Sequence, residues 1–188
     1  MGESVVTVHR FNQSLANGEH ASLEPFWESV YLKAFPTMVG RTVNLRGNPA
    51  QALGIDHTVL LSSGKTLLID TKCRFTLYDD ILLEYISNDR QKDETKALGW
   101  IRKDSLQIDY LAYAWMTQRT VVFLPWLALR RAWAQNIEVW WGKSGRNEKG
   151  YKRCEAKNPT YSTWSLAVPR AVVLDAVRDA LTVTLAAC

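Results

Sequence analysis

The stretch Leu67–Phe75, "LLIDTKCRF", decides how the rest of the chain is read. Its aliphatic start suits a buried β-strand, yet Asp70 and Lys72 stand two positions apart inside it with no turn residue nearby. Side chains alternate faces along a strand, so Asp70 and Lys72 point the same way, in line with Leu68 and Arg74. Leu67, Ile69, Thr71, Cys73 and Phe75 take the other face. One face is core-like and the other carries a row of charges.

The run before it, Asp56–Ser62 ("DHTVLLS"), is a second strand, and Ser63-Gly64 between the two is a hairpin signal. With the turn at Ser62–Lys65, antiparallel pairing sets Asp56 across from Asp70 at the open end of the hairpin. Two carboxylates and Lys72 then converge. Close carboxylates repel, and burying them unpaired is costly. A divalent cation removes the conflict, and Mg²⁺ typically takes one or two carboxylates, several waters and a substrate phosphate. Lys72 beside it can orient or deprotonate an attacking water, or stabilise charge building on a phosphate. These are the parts of metal-assisted phosphodiester hydrolysis. The blander alternatives are an exposed edge pair for Asp70 and Lys72, and a turn-capping role for Asp56 after Gly54.

Farther out, Asn12–Gly18 reads as a loop, and "ASLEPFWESVYLKAF" as a helix over 22–35, with Ser22 as N-cap and Pro36 ending it. Arg41–Arg46 is a short strand and Asp80–Ser87 ("DILLEYIS") another. Leu106, Tyr110 and Ala114, spaced by four, predict a helix over 105–117. Thr120–Pro125 is a buried strand and "WLALRRAWAQ" a short helix. Gly142–Arg153, "GKSGRNEKGYKR", is an exposed basic loop, and a strand ("TWSLAVP") and a helix ("RAVVLDAVRDAL") close the chain. The layout is α/β or α+β, with one central mixed sheet flanked by helices.

The whole is 188 residues, 47% hydrophobic and 22% charged, which suits one soluble domain with a real core. A net charge of +4 is compatible with a polyanionic partner. Cys73, Cys154 and Cys188 suggest neither a disulfide framework nor a zinc site, so a reducing cytoplasm is expected. "MGESVVTVHRFN" lacks the pattern of a signal peptide, and no apolar run reaches a membrane span.

Gly54–Asp56 ("GID") followed by Thr66–Lys72 ("TLLIDTK") resembles the PD-(D/E)XK nuclease superfamily, which includes restriction enzymes, phage exonucleases and Holliday-junction resolvases. The phrase "DILLEYISND…GW…IDYLAYAW" is similar to uncharacterised phage-encoded proteins of this type. Ile55 stands where the motif's Pro would, and position 70 is Asp where Glu is commoner. The resemblance implies a restriction-endonuclease-like core in α-β-β-β-α-β order over about 22–125, with 126–188 as an elaboration. It implies Asp56 and Asp70 as ligands of Mg²⁺, for which Mn²⁺ substitutes, with the Thr71 carbonyl as a further ligand and Lys72 as the catalytic lysine. Many members add a glutamate from the first helix, and Glu28 is the choice here, with Glu24 and Glu19 as alternatives.

Beside such a core, Glu84 either joins the site or pairs with an arginine. Arg74 either touches substrate phosphate or pairs with Asp79 or Glu84. The basic cluster Lys143, Arg146, Lys149, Lys152 and Arg153 either contacts DNA phosphates or is simply solvated, and Trp140 and Trp141 either stack on bases or pack. His57 faces away from Asp56 and is structural. The expected activity is a metal-dependent nuclease acting on DNA, with a homodimer suiting double-strand cleavage. The rivals are a nucleic-acid-binding module without catalysis and a phage structural or interaction protein.

Overall fold

Alternating apolar residues on either side of a glycine turn build the hairpin at the centre of the molecule. In the computed structural model, which describes residues 25–45, 47–146 and 148–186, β2 (His57–Leu61) pairs antiparallel with β3 (Thr66–Arg74), Leu60 opposite Thr66 and His57 opposite Ile69. Gly64 supplies the left-handed turn conformation, with φ +82°. Outside β2 runs β1 (Met38–Val43), again antiparallel. Helix α1 (Pro25–Ala34) precedes them, and a single turn, α2 (Pro49–Ala52), joins β1 to β2. The Asn48 side chain caps α2 by accepting from the Ala50 N–H. The loop expected at Asn12–Gly18, the Ser22 cap and the acids Glu19 and Glu24 lie outside the described residues.

After β3 the chain leaves the sheet. Strand β4 (Asp80–Ile86) belongs to a second, three-stranded antiparallel sheet with β7 (Lys152–Lys157) and β8 (Ser162–Pro169), ordered β4-β8-β7. The chain then passes through the one-turn helix α3 (Glu94–Ala97) and a 3₁₀ turn at Trp100–Arg102. It re-enters the main sheet as β5 (Tyr110–Trp115), parallel to β3, with Asp70 opposite Leu111. Strand β6 (Thr120–Pro125) follows antiparallel, and β9 (Leu181–Thr184) completes a six-stranded mixed sheet ordered β1-β2-β3-β5-β6-β9.

The helix expected over 105–117 is therefore a correction. Leu111, Ala112, Tyr113, Ala114 and Trp115 are all buried, because β5 is covered on both faces. A run that is apolar at every position satisfies a spacing of four and a spacing of two alike, so periodicity does not separate helix from strand there. The long helix comes later: α4 (Trp126–Gly145) runs well past the short helix expected, and β7 (Lys152–Lys157) begins within the expected loop.

Two cores result. Trp27, Val30 and Tyr31 of α1 pack on one face of the main sheet, against Val59, Ile69, Ala112 and Phe123. Leu111, Tyr113, Trp115 and Leu124 face the other way. They meet Ile81 and Leu83 of β4, Leu166 of β8 (Ser162–Pro169), Leu129 of α4 and Val173 of α5 (Arg170–Val177). The fold is thus mixed α+β, a mixed sheet with helices on both sides. From the expected elaboration 126–188, β8 and β9 pair directly with β4 and β6. Among the described residues no helix is long and apolar enough to cross a membrane.

Candidate functional site

The charged row on β3 faces the second sheet, so both faces of the strand are covered. Its first member, Asp70, is only 3% exposed. The hairpin register continues one residue beyond β2, where the Asp56 N–H donates to the Ile69 carbonyl at 3.0 Å. That bond holds Asp56 at the open end of the hairpin, beside Asp70. Its Oδ2 accepts from both the backbone N–H and the Oγ1 of Thr71, each at 2.9 Å, and its Oδ1 accepts from Gln51 Nε2 at 3.3 Å. Three donors thus fix the orientation of the Asp56 carboxylate.

Asp70 lies within hydrogen-bond reach of Asp56, and its Oδ1 accepts from Lys72 Nζ at 2.6 Å. Burial pushes the Asp70 carboxyl up, the Lys72 charge pulls it down and the Asp56 charge pushes it up again, leaving it at about 7. Burial presses the Lys72 ammonium down, but Asp70 and Asp56 outweigh that and hold it above the ordinary lysine range. Lys72 also approaches the Thr71 carbonyl at 3.4 Å. Glu84 approaches from β4. Burial raises its carboxyl, which feels the charges of Lys72 and Lys103.

Asp56, Asp70 and Lys72 open onto a cavity of about 580 Å³, whose lining does not include Glu84. Gln51, Gly54, Asp56, Asp70 and Lys72 line it from α2 and the hairpin, and Thr95, Lys96, Trp100, Lys103, Ser105 and Leu106 from the segment between β4 and β5. The second wall is the crossover from β4 to β5, held close by a glycine. A Cβ on Gly99 would lie 2.2 Å from the Glu84 carbonyl oxygen. The Gln107 N–H donates to the Leu53 carbonyl at 2.9 Å and ties the wall to α2.

Two adjacent carboxylates, one buried and balanced by a single ammonium, are hard oxygen donors of the kind that Mg²⁺ and Mn²⁺ take, with water and substrate filling the remaining positions. The residues present fit such an ion. Asp56 and Asp70 would hold it, with the Thr71 carbonyl at hand. Among the described residues no group of three or more His, Cys, Asp or Glu side chains is placed to hold a metal.

Several expected members lie elsewhere. Glu28 is exposed on α1 and pairs with Arg41 at 3.4 Å; it lines no part of the cavity, because α1 packs on the opposite face of the sheet. Arg74 is committed to Asp80 at 2.6 Å, both side chains being 16% exposed, and lies over the Tyr78 ring. It is an internal ion pair and not an open phosphate contact. In the basic cluster, Arg146 and Lys143 pair with Glu148, and Arg153 lies 4.0 Å from the Trp141 ring centre. Lys143 belongs to α4, Lys152 and Arg153 to β7, and Lys149 remains on the turn between them. Trp140 is core, 2% exposed. His57 is buried against α1, its Nδ1 2.5 Å from Tyr31 Oη.

Gln51, Lys96 and Lys103 went unread in the sequence. Gln51 stands one turn before Asp56 in "PAQALGID", but the two lysines carry no local mark, since only the tertiary path of the crossover brings them here. No family model, no curated protein and no solved structure matches the chain.

Proposed function

We propose that this chain is a metal-dependent nuclease of the PD-(D/E)XK type acting on DNA, with a restriction-endonuclease-like core. The observation that carries the proposal is the convergence of Asp56, Asp70 and Lys72 at one end of a hairpin, open to a polar cavity large enough for a segment of substrate. The antiparallel run β1–β2–β3 with β5 parallel to β3 supports the core assignment, the crossover passing through β4 and two short turns in place of the expected helix.

A bound Mg²⁺ would supply Lewis acidity and a more acidic water. The residues do the rest. Asp56, fixed by Thr71 and Gln51, presents an oxygen in one orientation. Asp70 holds the Lys72 ammonium at 2.6 Å, so Lys72 keeps a full positive charge. It therefore acts as an orienting donor to water and phosphate and as a stabiliser of negative charge on the phosphoryl oxygens, in place of a base. Glu84 adds a carboxylate near Lys72 from the second sheet. The alternative is a module of the same fold that binds nucleic acid without cutting it.

The test is cleavage of plasmid, linear duplex, single strand and four-way junction with Mg²⁺, Mn²⁺ or EDTA. Metal-dependent cleavage is expected, reduced at least about a hundredfold in both Asp70→Ala and Lys72→Ala. Cleavage that survives both substitutions refutes the assignment, and salt-sensitive DNA binding without cleavage establishes the binding module.

A further inference from the structure

Three lysines line the cavity, and their circumstances differ. Lys72 is bound to Asp70, and Lys96 is exposed with Asp93 3.3 Å away. Lys103 is half-buried, and among the described residues its ammonium makes no ion pair or side-chain hydrogen bond; it acts on Glu84 only through its field. A lysine partly withdrawn from water gains by meeting an anion. The same segment lines the cavity with the exposed Ser105 and with Thr95, whose hydroxyl donates to Asp93 at 2.7 Å. Acidic residues that suit a cation thus share one cavity with the lysines of the β4–β5 crossover.

We infer that Lys103, assisted by Lys96, is a phosphate-binding wall that grips the nucleic-acid backbone in the cavity that Asp70 also lines. The inference rests on reading this cavity as a nuclease site. It moves the main backbone contact from the Gly142–Arg153 segment, where Glu148 and Trp141 engage most of the cations, to the β4–β5 crossover. A phosphate beside the scissile one would lie against Lys103, which would fix the strand's register in the cavity.

The test is fluorescence anisotropy of a labelled single-stranded oligonucleotide, in EDTA so that nothing is cut, over a range of salt. Lys103→Gln is expected to weaken binding on the order of tenfold and to lower the salt slope by about one phosphate contact, and Lys96→Gln to act in the same direction more weakly. Lys103→Arg should keep most of the affinity, and Lys65→Gln, at the exposed hairpin turn, should change nothing. Thermal melts of each variant separate lost binding from lost folding. Unchanged affinity in a folded Lys103→Gln overturns the wall even if the wild type cleaves DNA, and a wild type that binds no oligonucleotide overturns it too. Weakened binding in the lysine variants of a protein that never cleaves upholds the wall and removes the nuclease.

Discussion

Asp70 owes its character to its neighbours on β3. Ile69 and Cys73 face α1, which leaves the Asp70 carboxylate in the seam between the sheets, with Lys72 and Asp56 for company. Its folded-state pKa of about 7 lies above the unfolded value of 3.8, so the folded protein holds the extra proton between those limits. Stability of the metal-free protein should therefore fall as pH rises from about 4 through about 7, then level off. Asp80 and Glu84 are raised too and add the same sign, so the diagnostic quantity is the difference from Asp70→Asn. That variant should flatten the melting-temperature profile measured in EDTA, by an amount worth on the order of a few kcal/mol across the window. An unchanged profile would show that Asp70 ionises normally. Arg74 yields a second expectation: Arg74→Met strands the Asp80 carboxylate and should cost about 3–5 kcal/mol in urea unfolding, with little effect on DNA affinity. A large loss of affinity at full stability would restore Arg74 as a phosphate contact.

At the scale of elements, what is local was legible. The β2–β3 hairpin shows in the alternation of two runs and in Gly64, and the carboxylate at each side of its open end follows from the register. Strand β5 was not legible, because "YLAYAW" is buried on both faces and carries no polar alternation. The second cavity wall was not legible either, since nothing near Lys96 or Lys103 in the chain announces a site. The device that places this wall is Gly99, whose backbone approaches that of Glu84 too closely for any side chain. Gly99→Ala should push the Trp100–Arg102 turn away from β4, cost about 3 kcal/mol or more, and weaken oligonucleotide binding alongside. Thermal denaturation checks the first effect and anisotropy the second, and a fully stable Gly99→Ala would mean that the crossover does not need this contact.

The molecule as a whole interlaces its C-terminal strands with its core. A fragment spanning 25–125 would leave β4 without β8, and the apolar face of β5 without α4 and α5. It should fail to show a cooperative melt and should aggregate through the exposed β4 edge. A sharp thermal transition in that fragment would mean that the core holds without the strands and helices of 126–188. The same interlacing governs time. Asp80 pairs with Pro169, Thr120 with Thr184, and the parallel bond between β3 and β5 waits on the excursion through β4. Contacts of such long sequence separation are assembled late and slowly, on scales of about milliseconds to seconds. The hairpin that carries both aspartates closes early, and the lysine wall arrives only when the crossover docks. A nascent chain would thus hold its acids ready before it could grip a strand, and competence would appear in the last kinetic phase of refolding.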